Sequence, residues 1–209
     1  MNTRKLWYMV AIAVLVAAAS AVPAKADTVL YDNGPINGNV QAYTINFGFS
    51  VSDSFTFSNP VFGFSSATVG LWVFAGDTPL TVDWSIGTTF FGSNIASGTS
   101  GLANTFDFTN GFGYDIYSST FSLNGPTPLP GTYYLTLQNA TSAEGNPVFW
   151  DQNSGPSQAM DSSLGSVPSE TFLITAGSDA AGSPEPASFL LLGTGLLGLA
   201  GGIRKRMKA

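Results

Sequence analysis

Carboxylates are the side chains on which acid–base or metal chemistry in the body of this sequence would have to be built. Between Asp27 and Gly182 there are ten Asp and two Glu, and not one Lys, Arg, His or Cys. All seven cations lie at positions 4, 5, 25, 204, 205, 206 and 208, so this stretch carries a formal charge of −12. Without His or Cys, Ser-His-Asp and Cys-His triads, thiol- or imidazole-ligated zinc and disulfides are all excluded. Nucleic acid is excluded as a partner, because nothing neutralises phosphates. A carboxylate pair remains. Asp83 and Asp115 each sit beside aromatic residues and could act as acid and base of a glycosidase, but no spacing sets their separation. Hard cations are a second use. Asp27, Asp32 and Asn33, or Asp151 with Asn153, offer the oxygens calcium takes, although no Asp-x-Asp-x-Asp-Gly loop is present and no cofactor is assigned. The third use is carbohydrate binding. Phe149-Trp150-Asp151-Gln152-Asn153 joins an apolar ring to acceptors and amides, as a pyranose requires, with Trp150, Asp151 and Asn153 as the candidate contacts. A second reading keeps Trp150 at the edge of the core and makes Asp151 to Gly155 a turn; the packing reading is the more common one.

The elements that must position these residues read as strands. Tyr43 to Val51 alternates, with Tyr43, Ile45, Phe47, Phe49 and Val51 on one face, and Phe55 and Phe57 continue it. Leu80, Val82, Trp84 and Ile86 alternate with polar residues. Tyr133, Leu135 and Leu137 do the same, as do Tyr117, Phe121 and Leu123. Gly70 to Ala75 reads as a strand buried on both faces, and Val148 to Trp150 and Glu170 to Ala176 complete the set. No stretch between Asp27 and Gly182 keeps a helical apolar period. Eight to ten short strands bounded by Gly, Pro, Asn and Asp predict an all-β fold, an antiparallel two-sheet sandwich, jelly-roll-like, with hydroxyl-rich outer faces. About 156 residues suffice for one such core.

The two ends read as addresses. Arg4-Lys5, the apolar run Leu6 to Ala21 and the small residues Ala24 and Ala26 form a signal peptide over 1–26, cleaved by signal peptidase after Ala26. The alternative is an uncleaved anchor. Residues 27–177 form the ectodomain and 178–183 a linker. At the C-terminus, Pro184-Glu185-Pro186 precedes an uncharged segment, 187–203, about 25 Å long as a helix. The cations Arg204, Lys205, Arg206 and Lys208 follow and anchor it on the cytoplasmic side. A plain transmembrane anchor would look similar. The motif, the short Gly/Leu-rich helix and the basic tail together resemble the PEP-CTERM sorting signal, which covers 184–209.

That resemblance implies an exported protein of a Gram-negative bacterium that makes exopolysaccharide. It implies a transient stay in the inner membrane, removal of the anchor by an exosortase, and a final place at the cell surface or in the extracellular matrix. Val82 to Gly87, Gly113 to Tyr117, Gly131 to Asn139 and Pro147 to Asp151 also resemble the ectodomains that precede such signals; that likeness supplies no activity. The leading expectation is a non-enzymatic surface or biofilm-matrix protein. A carbohydrate-binding module for the exopolysaccharide is the alternative, and an Asp/Glu-dependent hydrolase the third.

Overall fold

A computed structural model describes residues 28–58, 63–126 and 128–176. The expected signal peptide, linker, sorting motif, transmembrane segment and basic tail all lie outside the described residues. Among the described residues, thirteen strands build two antiparallel sheets. They are β1 (Thr28–Asp32), β2 (Ala42–Thr44), β3 (Ser50–Phe57), β4 (Phe64–Phe74), β5 (Pro79–Gly87), β6 (Ala96–Gly101), β7 (Ala103–Thr109), β8 (Tyr114–Ser122), β9 (Gly131–Ser142), β10 (Phe149–Asp151), β11 (Ala159–Asp161), β12 (Gly165–Val167) and β13 (Phe172–Ala176). The expected all-β class with two antiparallel sheets is what the chain adopts.

The six-stranded sheet runs β12-β11-β3-β9-β5-β6. The seven-stranded sheet is organised on β4, which pairs with β8 along Ser66 to Phe74. Its other side is shared by two short strands laid end to end. β13 pairs with Phe64 to Val69, and β10 with Leu71 and Trp72. β1 continues outward from β13, and β2 from β10, while β7 closes the far side on β8. The first and last described residues are neighbours, Thr28 opposite Ala176, at the Phe64 end of β4.

Inward-facing positions of both sheets supply one core. Val51, Phe55 and Phe57 of β3 meet Val69, Leu71 and Val73 of β4, and Leu135 and Leu137 of β9 join them. Burying each such side chain contributes roughly 1.5–3 kcal/mol. The ring of Phe55 packs 5.4 Å from Phe57 and 6.0 Å from Phe172, edge to face. Such pairs add about 0.5–1.5 kcal/mol beyond area.

Three sequence expectations need correction. Tyr43 to Val51 is not one strand. Phe47 and Gly48 both take left-handed backbone, φ 55° and 88°, and Phe49 N–H closes the turn on Asn46 C=O at 3.0 Å. The chain thereby leaves the seven-stranded sheet and enters the six-stranded one, with Phe47 and Phe49 exposed. The Phe/Gly alternation mimicked a strand across this turn. Leu80 is likewise exposed, at the end of β5. The outer face of the seven-stranded sheet is not hydroxyl-rich throughout: Trp72, Phe74, Tyr114 and Phe149 share it in register.

Candidate functional site

The sequence-predicted sugar platform is inside the protein. Trp150 is 0% exposed, its indole N–H donates to Thr171 C=O at 2.7 Å, and its ring meets Phe172 edge to face. Register explains this: Trp150 lies opposite Leu71, whose side chain is in the core, whereas Phe149 lies opposite Trp72 on the outer face. No face of Trp150 is free for a pyranose. Asp151 and Asn153 are buried too. The Asp151 carboxylate accepts from Asn37 N–H and Gly38 N–H at 3.0 Å and from the Trp72 indole at 2.8 Å. Asn153 donates to Asn33 C=O and accepts from Gly155 N–H and the Ser169 hydroxyl.

These residues belong to a polar seam where β10 and β13 meet end to end. The chain from Asn33 to Gly38 lies over it, close to Gly70. A Cβ at Gly70 would stand 2.6 Å from Thr171 Oγ1, 2.9 Å from Ile36 Cγ1 and 3.0 Å from Asp151 Cβ, so only glycine lets the strand and the loop approach. Asn33 Nδ2 donates to Ser169 Oγ at 2.8 Å, to Glu170 C=O at 2.6 Å and to Asp53 Oδ2 at 3.2 Å. Asp53 projects from the opposite sheet, on the same face as Val51 and Phe55. It also accepts from Ser157 Oγ at 2.8 Å and Glu170 N–H at 2.7 Å. The seam is therefore a hydrogen-bonded bridge between the two sheets.

Its electrostatics are unusual. Burial pushes Asp53 and Asp151 from 3.8 to about 6, against the lowering effect of their hydrogen bonds. Glu170 is 0% exposed, and neither carboxylate oxygen has a hydrogen-bond partner. Desolvation first, then repulsion from Asp53, Asp151 and Asp161, raises it well above 4.5. An unpartnered buried carboxylate is far less costly as the neutral acid. The sequence signal was available for Asp53, which falls on the apolar face of an alternating strand. None distinguished Glu170.

The catalytic pair is not brought together in one sheet. Asp83 is on β5 of the six-stranded sheet, bonded to Thr99 and Asn139. Asp115 is on β8 of the other sheet, bonded to Gly76 N–H at 2.8 Å and Thr109 Oγ1 at 2.6 Å. Among the described residues, no group of three or more acidic side chains is arranged to hold a metal. Of the calcium candidates, Asp27 lies outside the described residues, Asp32 accepts from Gly34 N–H at 2.8 Å, and Asn33 is committed to the seam. A hollow of about 470 Å³ between the loops at 32–37 and 153–156 is lined by Asp32, Asn37 and Asn153.

The second candidate is a groove of about 290 Å³ on the outer face of the seven-stranded sheet. Trp72, Phe112, Tyr114 and Phe149 line it together with Val40 and Gln41. Phe112 stacks on Trp72 at 6.2 Å and 20°, and Tyr114 meets Phe149 edge to face at 5.6 Å. Trp72 is held by the Asp151 bond, so the buried seam fixes the floor of the groove. The reading of Gly70 to Ala75 as buried on both faces holds for Trp72, 4% exposed beneath Phe112, and fails for Phe74, which is exposed beside the groove. The informative signal was Phe112 between two glycines in a turn.

An aromatic groove thus lies on the outer face of one of two antiparallel sheets. Residues 184–206 match the PEP-CTERM protein-sorting motif. The chain therefore carries the signal of a PEP-CTERM protein, which supports export and handling by an exosortase. A search of curated proteins found no match. Among the described residues no helix is long and apolar enough to cross a membrane.

Proposed function

We propose that this is a non-enzymatic protein of the cell surface or extracellular matrix, built on a jelly-roll-like sandwich and associated with exopolysaccharide. Signal peptidase removes 1–26, the inner membrane holds the chain briefly through 187–203, and an exosortase acts at Pro184-Glu185-Pro186. The sorting motif at 184–206 is the observation that carries this reading. The arrangement of the carboxylates supports it: Asp53, Asp83, Asp115 and Asp151 are all engaged in internal hydrogen bonds. A net charge of −12 over 27–182 with no cation also favours solubility and few non-specific contacts in a crowded matrix.

The test is the intact mass and location of the protein in its own host. A species lacking Met1–Ala26 and the residues beyond about Pro186, found in the surface or medium fraction, is the expected result. A species that keeps Arg204 to Ala209 and stays in the inner membrane would sink the sorted-matrix reading.

A further inference from the structure

We infer that the groove between Trp72, Phe112, Tyr114 and Phe149 is a binding site for an uncharged pyranose chain; the inference rests on the matrix reading above. The first ground is Phe112. It is 64% exposed at the tip of the β7–β8 hairpin, yet the tip is held firmly. Asn110 Oδ1 accepts from Phe112 N–H and Tyr114 N–H, both at 3.0 Å, and Asn110 Nδ2 donates to Gly38 C=O at 2.8 Å. A turn fixed by four-residue side-chain bonding presents a ring to solvent in one orientation. Solvent-exposed Phe74 and Val40 extend the apolar area, and such a contiguous patch marks a contact site.

The second ground is the mixture of groups. Aromatic walls meet the C–H faces of a sugar, while its hydroxyls need donors and acceptors. Tyr114 and Gln41 both line the groove, and among the described residues neither the Tyr114 hydroxyl nor the Gln41 amide is hydrogen-bonded to another side chain or to backbone. Charge selects among occupants. With no Lys or Arg from 27 to 182, nothing pairs with a uronate or sulfate, so polyanionic glycans are repelled. A second copy of the domain would bring two charges of −12 together. An uncharged glycan meets neither penalty.

The experiment is affinity electrophoresis of the protein recovered from its host, in native gels containing dextran, galactomannan, the neutral fraction of the host's own exopolysaccharide, or alginate. Retardation by at least one neutral glycan and not by alginate is expected. Phe112→Ala should weaken it about tenfold, as loss of a stacked ring at an exposed site does. Tyr114→Phe should weaken it by a smaller factor, and Leu164→Ala, an exposed residue of the β11–β12 turn, should leave it unchanged. Phe112 covers Trp72, which is 4% exposed, so the melting transition of each variant is measured alongside, and Tyr114→Phe, which keeps its ring, separates lost binding from lost folding. No retardation on any neutral glycan, equal retardation by alginate, or an unchanged Phe112→Ala variant would overturn the assignment. A dimer that Phe112→Ala converts to monomer would overturn it in favour of self-association. Matrix location without glycan retention defeats the groove alone, and glycan retention by a species kept in the inner membrane defeats the matrix reading alone.

Discussion

Glu170 is a fully buried carboxyl of the seam, and its burial ties the domain's stability to pH. Its oxygens are unpartnered in the interior, and Asp53 and Asp151 share the same seam. All three bind a proton more tightly folded than unfolded, so the folded state holds more protons over the range between the two values. Stability contributed this way is complete below about pH 4 and is lost as pH rises toward and through 6, where Asp53 and Asp151 ionise in the fold. Urea unfolding at pH 4.5, 6 and 8 should show a falling midpoint. A midpoint that rises steadily over this range would mean the seam is ionised and compensated. Glu170→Gln keeps the shape and removes the ionisation. It should stabilise the domain at pH 8 by about 1–3 kcal/mol and have little effect at pH 4.5, read by the difference between the two titrations. Trp150 makes the complementary point. The sequence offered it either as a sugar platform or, the more common reading, as a packed residue at the core edge, and the strand register, one residue from Phe149, packs it inside.

At the scale of elements, β4 is where the fold is decided. It is the strand shared by β8, β13 and β10, and Gly70 marks the junction of the last two. Gly70→Ala forces a Cβ against Thr171, Ile36 and Asp151. It should cost about 1–3 kcal/mol, as overpacking does, and should loosen the loop over 33–38. A thermal transition equal to wild type would show that the loop is free to retreat. Strands whose alternation is clean were legible in the sequence: Val82-Trp84-Ile86 on β5 and Tyr133-Leu135-Leu137 on β9 point inward as read. What escaped had weak periodicity. β6 (Ala96–Gly101) and β7 (Ala103–Thr109) have no fully buried residue, and β11 and β12 are three residues each. Tyr43 to Val51 escaped for the opposite reason, since its alternation ran unbroken through a turn. The groove was not legible because it unites Gln41, Trp72, Phe112 and Phe149, which only the pairing of β10 and β8 with β4 brings together.

For the whole molecule, the absence of cations over 27–182 determines both how it behaves and how it can be handled. No trypsin site exists between Lys25 and Arg204. Trypsin should therefore leave the urea-unfolded mature protein as one large fragment, seen as a single mass. Several internal tryptic peptides would contradict the sequence itself. Surface attraction between copies through ion pairs is excluded over this stretch, so solubility should depend little on pH above the carboxylate range.

The pairing of Thr28 with Ala176 gives the domain a handle and a tip. Both ends of the described chain leave from the Phe64 end of β4. Phe74, beside the groove, is ten residues further along the same strand, about 33 Å away at 3.3 Å per residue. The ring-lined groove therefore stands at the opposite end of β4 from the corner where Thr28 and Ala176 pair.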